Sequence, residues 1–153
     1  MSRRILVPVD GSSTSNRGLA EALKIARSQK ARLRLLHVVD DSAFTMAPEL
    51  GGLDVDRLLD AMRENGKKIL ARSVATARRR GVRAEGVLIE SLARPVADSI
   101  VAQAGEWRAD LIVLGTHGRR GLSRLVMGSD AEGVVRKSAV PVLLLRAPGR
   151  ATR

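Results

Sequence analysis

The sequence contains no cysteine, which excludes disulfide bonds, thiolate metal sites and cysteine nucleophiles. Aromatic residues are almost as scarce, with one Phe, one Trp and no Tyr. Because proteins that bind single-stranded nucleic acid stack bases on aromatic side chains, this composition argues against that class. No apolar run approaches the roughly 18 residues of a membrane-spanning helix, and the run near the N-terminus is too short for a signal-peptide core. We therefore expect a cytoplasmic protein.

Motifs of common enzyme classes are also missing. The sequence has neither the G-x4-G-K-[S/T] pattern of a P-loop nor the G-x-S-x-G pattern of a hydrolase nucleophile elbow. Its acidic residues do not form a pattern that singles out one of them as a general base. We therefore do not expect an enzyme.

The overall composition is that of a globular protein. Of its 153 residues, 44% are hydrophobic and 28% are charged, which is the composition of a domain that folds by itself. We expect one domain over residues 1–147 and a disordered tail over residues 148–153. The net charge of +11 raises the possibility of anionic partners, including nucleic acid. A solvated basic surface is the alternative, and we expect no specific binding of nucleic acid.

Short apolar runs alternate with longer amphipathic segments along the chain. The apolar runs predict five strands, at residues 4–9, 32–39, 83–90, 110–115 and 141–146. The segments between them predict helices at 15–30 and 55–80, a helix whose first residue is near Pro95, and a helix at 128–137. Residues 40–52 are expected to form a loop. This alternation predicts an α/β fold: a doubly wound, five-stranded parallel sheet with helices on both faces.

A glycine-rich segment follows the fourth predicted strand. Gly115, Gly118 and Gly128 allow backbone N–H groups to approach a ligand, and Ser129 lies at a helix N-terminus, where an anion is favoured. Because ligands of doubly wound sheets bind at the carboxyl ends of the strands, this segment is a candidate phosphate site. A structural explanation is also open: Ser129 and Glu132 match the S-x-x-E capping box, which closes a helix start without a ligand.

The segments around these glycines resemble the universal stress protein family, and in particular its ATP-binding branch. That branch carries a G-x2-G-x9-G-[S/T] loop, which Gly115, Gly118, Gly128 and Ser129 match. The frame also matches, with "ILVPVDGS" at the start, "LLHVVD" at the end of the second strand, "DLIVLGTHGRRGLSRLVMGS", and "VPVLLLR" at the close. The resemblance implies a Rossmann-like fold, bound ATP with Mg²⁺ on its phosphates, and a homodimer.

The resemblance also implies which residues hold the nucleotide. The backbone of Val38 would hydrogen-bond the adenine, while Pro8 and Asp10 would lie against the adenosine, with Asp10 reaching the ribose. The phosphates would be held by two further segments. The first contains Leu114, Gly115, His117 and Gly118, and the second contains Gly128, Ser129 and Asp130. Asp130 departs from the family pattern, in which a small or apolar residue commonly follows the Gly-Ser pair. Its carboxylate would compete with a phosphate for the positive end of the helix.

Three further expectations concern assembly and alternatives. The last strand, residues 141–146, is apolar on successive residues, so both of its faces should be buried, and we expect it to pair with a second copy. His37 and His117 are expected to be hydrogen-bonded structural groups rather than metal ligands. The alternatives to an ATP-binding module in stress response are a dimeric interaction protein of the branch without nucleotide and a basic nucleic-acid-binding protein.

Overall fold

A parallel sheet of five strands forms the centre of the protein. The computed structural model describes residues 3–42, 44, 54–116 and 127–146. The strands are β1 (Arg4–Pro8), β2 (Arg32–Val39), β3 (Ala84–Glu90), β4 (Leu111–Gly115) and β5 (Val142–Leu145). Their order across the sheet is β3-β2-β1-β4-β5, and all neighbouring strands are parallel. The predicted strands are confirmed, with each boundary displaced by no more than one residue.

The helices α1 (Ser13–Gln29), α2 (Val55–Arg79), α3 (Val96–Glu106) and α4 (Ser129–Lys137) separate these strands along the chain. Side chains define the starts of the first two helices, because Ser12 accepts a hydrogen bond from the Ser15 N–H and Asp54 accepts one from the Arg57 N–H. Pro95 lies just before α3 as its N-cap, and not at the first helical position that the sequence predicts. In the segment expected to be a loop, Ser42 and Phe44 have helical backbone conformation. Among the described residues, no helix has the length and apolar character needed to cross a membrane.

Helices cover both faces of the sheet, as predicted. On one face, α1 and α2 bury residues such as Leu23 and Ile69 against the odd-numbered side chains of β1 and β2. On the other face, α3 and α4 bury Ile100 and Val134. Full burial of one such aliphatic side chain contributes about 1.5–3 kcal/mol, so these two cores hold the layers together. The doubly wound α/β fold is therefore confirmed.

The strand order creates one reversal in the chain path. From β1 the chain proceeds outward to β2 and β3, and it then returns to place β4 on the other side of β1. In folds of this kind, ligands bind at the carboxyl ends of the two strands between which the direction reverses. Here these strands are β1 and β4.

The last strand is an edge strand, as its expected role requires. All four of its residues, Val142 to Leu145, are half-buried within the single chain. The prediction that both faces are buried is therefore wrong for the chain alone, because the helices on each face cover this edge only in part. The side chain of Arg17 in α1 holds the end of the strand by a hydrogen bond to the Arg146 carbonyl.

Candidate functional site

The carboxyl ends of β2, β1 and β4 lie side by side, and predicted site residues lie at all three. Pro8 is the last residue of β1, Val38 is near the end of β2, and Leu114 and Gly115 end β4. Because these strands are neighbours in the sheet, the structure brings these residues to one edge, which we call the carboxyl edge. Asp10 follows β1 at the same edge.

Pro8 lies where the sheet opens between β1 and β4. The β1–β2 ladder extends to the pair Pro8–Leu36, whereas the pairs between β1 and β4 are Ile5–Leu111 and Leu6–Ile112. The Val9 N–H donates to the Leu36 carbonyl of β2, so the backbone of Pro8, one residue earlier, faces β4. Proline has no N–H to donate on that side. This explains how a proline is accommodated in a central strand.

Asp10 organises the turn that leads from β1 into α1. Its carboxylate accepts a hydrogen bond from the Ser12 N–H at 2.8 Å, and its own N–H donates to Ser15 Oγ at 3.1 Å. Gly11 between them has a φ of 81°, which favours glycine. Asp10 thus serves as a turn residue, and its half-buried side chain remains at the edge where the resemblance places the ribose.

His37 and Val38 lie at the end of the β1–β2 ladder. His37 Nδ1 is 2.7 Å from the Val9 carbonyl oxygen, and because a carbonyl only accepts, Nδ1 is the donor. His37 is therefore hydrogen-bonded within the fold, as expected. Val38 packs its half-buried side chain on the α3/α4 face of the sheet.

Gly115 is a glycine for a reason that involves no ligand. A Cβ at this position would lie 2.8 Å from the backbone carbonyl carbon and from the Cβ of Thr14 in α1. Residue 115 is in an extended strand, so the absence of a side chain, and not a positive φ, is what the structure requires. The glycine allows the N-terminal turn of α1 to contact the end of β4 directly.

The two ends of the glycine-rich segment are joined by a hydrogen bond. The Gly128 N–H donates to the Thr116 carbonyl at 2.8 Å, and the Thr116 N–H donates to the Leu145 carbonyl of β5 at 2.9 Å. Thr116 and Gly128 therefore lie side by side at the end of β4. The predicted residues His117 and Gly118 lie outside the described residues.

The start of α4 differs from the predicted capping box. Gly128 is the N-cap residue and Ser129 is the first helical residue, and no side-chain hydrogen bond caps this end. Glu132 instead forms an ion pair with Arg136 at 2.6 Å. The capping-box explanation is wrong because Ser129 lies one position too late to serve as the cap. Ser129 and Asp130 are both exposed in the first turn.

A hydrogen-bonded clamp joins the ends of β2 and β3, and sequence reasoning missed it. Asp41 Oδ1 accepts hydrogen bonds from Ser91 Oγ at 2.7 Å and from the Ala93 N–H at 2.9 Å. The hydrogen bonds from Ala93 and then Ser91 hold the pKa of Asp41 below its ordinary value. The clamp fixes Leu92 and Ala93, whose φ values of 52° and 64° are rare for residues other than glycine. The sequence offers no signal for it beyond the two acids after β2.

The described part of the chain contains no group of three or more His, Asp or Glu side chains that could hold a metal ion. Phosphate oxygens are among the ligands that Mg²⁺ binds in proteins.

Comparisons with known proteins agree on one family. The model of the Universal stress protein family matches residues 1–146. A universal stress protein of Methanocaldococcus jannaschii is 33% identical over 146 residues, which cover 95% of this chain and 83% of that protein. The structure of the universal stress protein UspA from Lactobacillus plantarum has a TM-score of 0.81 at 29% identity, covering 94% of this chain and 97% of that one. The structure of the universal stress protein from Archaeoglobus fulgidus in complex with dAMP has a TM-score of 0.68 at 24% identity, covering 95% and 98%. The chain therefore belongs to the universal stress protein family.

Proposed function

We propose that this protein binds ATP at the carboxyl edge of its sheet and acts in the cytoplasm as a nucleotide-dependent homodimeric module of stress response. In this proposal it is a binding and signalling protein, and hydrolysis of ATP is not its task. The adenosine lies against Pro8, Asp10 and Val38. The phosphates lie between the end of β4 and the start of α4, where they carry Mg²⁺.

The observation that carries this proposal is the closure of the glycine-rich segment at the reversal of the strand order. Thr116 and Gly128 join its two ends at the carboxyl end of β4, on the side of β5, and α4 begins directly after it. The first N–H groups of a helix have no partners within the helix and favour an anion. The Gly128 N-cap has no side chain that would occupy this space. The fold accommodates nucleotides elsewhere, since the Archaeoglobus fulgidus protein of the same fold is in complex with dAMP.

Replacement of Gly128 tests the phosphate site. Gly128→Val adds a branched side chain where the phosphates would approach the backbone, and we expect ATP affinity to fall by at least about 100-fold, equivalent to the loss of two hydrogen bonds to a charged group. Gly105→Val is the matched control, because a Cβ added at Gly105 in α3 has no atom within 4 Å apart from its chain neighbours and the adjoining backbone of its own helix. Calorimetric titration with Mg-ATP at low salt measures both variants. Absence of binding by the wild type at millimolar ATP would reject the proposal and favour the interaction protein without nucleotide.

The position of β5 at the edge of the sheet supports the proposed homodimer. The N–H groups of Ile112 and Thr116 donate to the carbonyls of Pro141 and Leu145, so the odd-numbered residues of this strand face β4. The backbone groups of Val142 and Leu144 then point outward from the sheet edge. An edge strand with outward-pointing backbone groups and half-buried apolar side chains is a template for pairing with a second strand.

One substitution separates backbone pairing from side-chain packing. Leu144→Pro removes an outward N–H without removing a donor to β4, and we expect it to convert the dimer to a monomer. Leu144→Ala loses the same side-chain packing but keeps the N–H, so it should remain largely dimeric. Light scattering at micromolar concentration distinguishes the two states. A monomeric wild type would contradict this part of the proposal.

A further inference from the structure

The hydrogen bond from His37 ends the ladder between β1 and β2 one step early. Along a strand, the backbone groups of alternate residues point to the same side. The Leu36 carbonyl accepts from the Val9 N–H of β1 at 2.8 Å, so the N–H and carbonyl of Val38 point to the same side, toward β1. Continuation of the ladder would pair the Val38 N–H with the Val9 carbonyl. That carbonyl accepts the imidazole N–H of His37 instead.

The helix that covers His37 contains a glycine that makes room for the imidazole. Gly66 is buried in the interior of α2, where glycine is unfavourable relative to alanine. A Cβ at this position would lie 2.5 Å from Cδ2 of His37 and 2.7 Å from Cδ1 of Leu88. Real Cβ atoms do not approach other atoms so closely. An alanine at position 66 would therefore displace the ring that binds the Val9 carbonyl.

The Val9 carbonyl is bound by the side chain of His37, although a backbone N–H could bind it. If satisfaction of the Val9 carbonyl were the only requirement, the Val38 N–H would meet it, as the preceding N–H groups of β2 do for β1. The chain instead places a histidine beside the carbonyl and a glycine opposite the histidine. The result is one N–H and one carbonyl, both from Val38, directed past the end of β1. This pair of donor and acceptor matches the hydrogen-bonding edge of a nucleobase.

We propose that His37 is a positioning residue for the base of the bound nucleotide: by binding the Val9 carbonyl, it keeps the backbone of Val38 available to the ligand. This inference rests on the proposed nucleotide binding and assigns a role to a residue that does not itself touch the ligand. Loss of the imidazole N–H frees the Val9 carbonyl, which then accepts the Val38 N–H and closes the edge that the base would occupy.

Amide hydrogen exchange without nucleotide tests the first step independently of ATP. In the wild type, we expect the Val38 amide to exchange at least about 100-fold faster than the Leu36 amide within the ladder, because it is not held by the sheet. In His37→Leu, the Val38 amide should slow by at least about tenfold as it pairs with Val9. Slow exchange at Val38 in the wild type, or no change in the variant, would overturn the proposal.

A pair of substitutions of similar shape tests the second step. His37→Leu and His37→Asn both lose the ring that packs on Gly66, but only the asparagine keeps an N–H near the position of Nδ1. We expect His37→Leu to weaken ATP binding about tenfold and His37→Asn to stay within about threefold of the wild type. Inorganic tripolyphosphate, which has no base, should bind all three proteins with equal affinity. Thermal unfolding followed by circular dichroism checks that both variants are folded.

The outcomes separate this inference from the proposed function. If the wild type binds ATP no more tightly than tripolyphosphate, the base is not recognised and His37 has no such role, while phosphate binding stands. If His37→Leu and His37→Asn lose ATP affinity equally, the ring acts through packing and the inference is wrong.

The variant Gly66→Ala tests the same role from the helix side. It should weaken ATP binding as His37→Leu does, and unchanged binding with a displaced ring would overturn the role of the imidazole. If the wild type binds neither ligand, the proposed function fails and the inference with it.

Discussion

The two ends of the sheet are built from the same strands, but their polar groups are hydrogen-bonded in different ways. At the amino edge, where the strands begin, the carbonyls of Arg3, Arg4 and Arg83 accept backbone N–H groups from neighbouring segments at 2.8–2.9 Å. The Arg4 N–H donates to the Asp110 carboxylate at 2.8 Å, and the Arg4 guanidinium donates to the carbonyl of Trp107. At the carboxyl edge, the β1–β4 ladder ends at Leu6 and the β1–β2 ladder extends to Pro8. Side-chain hydrogen bonds fix the turns that follow the strands.

This difference separates stability from binding. The amino edge is closed by bonds within the chain, and the guanidinium of Arg34 lies 4.8 Å from the centre of the Trp107 ring while it also pairs with Glu85 at 2.8 Å. These bonded groups stabilise the fold, and their hydrogen-bonding capacity is largely used within the chain. The carboxyl edge keeps backbone groups and helix starts directed outward, which is the requirement for binding an anion and a base. Substitution of the bonded groups at the amino edge should therefore change stability, whereas substitution of the outward-directed groups at the carboxyl edge should change binding.

The largest expected effect is on stability, at the amino edge. Trp107 is 8% exposed, so Trp107→Ala removes a large buried ring and should lower the free energy of unfolding by about 3–5 kcal/mol. ATP affinity, measured below the unfolding temperature, should not change. Urea unfolding followed by circular dichroism measures the first quantity, because Trp107 is the only tryptophan for fluorescence. A parallel loss of ATP affinity would show that the two edges are coupled.

A smaller effect is expected at the clamp on the carboxyl edge. Asp41→Asn keeps the shape of the side chain but removes the charge that accepts the Ser91 and Ala93 hydrogen bonds, and it should lower the free energy of unfolding by ~1–2 kcal/mol at pH 7. Because the pKa of Asp41 is lowered in the folded protein, its charge stabilises the fold above the ordinary pKa near about 4. This contribution is lost as the pH falls through the folded pKa. The difference between wild type and variant should therefore disappear in acid, and a difference that persists there would contradict an electrostatic role.

The smallest effect concerns Asp130 in the first turn of α4. Its carboxylate interacts favourably with the helix dipole but repels a phosphate at the same end. We expect Asp130→Ala to tighten ATP binding by about two- to fivefold, with or without Mg²⁺, and to reduce stability slightly. Paired titrations in the presence and absence of Mg²⁺ measure this effect. A loss of affinity seen only with Mg²⁺ would show that the carboxylate positions the metal ion.

The sequence predicts the fold well because its apolar periods are regular. Alternating runs define the strands to within one residue, and the stripe of Leu19, Ala22, Leu23 and Ala26 defines the buried side of α1. The reversal of the strand order cannot be derived from these periods, because they say nothing of which strands become neighbours. The family resemblance supplies the position of the candidate site between β1 and β4.

The local chemistry of the site is harder to predict, because it depends on contacts between distant segments. Gly115 looks like a ligand-binding glycine, but its contact with Thr14 explains it through packing alone. Ser129 looks like a helix cap, but the helix begins one residue earlier than that role requires. Gly66, 29 residues after His37, is an ordinary helix residue until the imidazole is placed against it. Such pairs become visible only when the helices are packed on the sheet.

Amide hydrogen exchange of the wild type with and without Mg-ATP tests the separation of the two edges most directly. Nucleotide should slow exchange at Val38 and at Ser129, the first residue of α4, on the carboxyl edge. At the amino edge, Arg32 and Leu33 already donate to the carbonyls of Arg3 and Arg83, so their exchange should not change beyond the general increase in stability that binding confers. Protection confined to the amino edge, or no protection at saturating Mg-ATP, would contradict the assignment of nucleotide binding to the carboxyl edge.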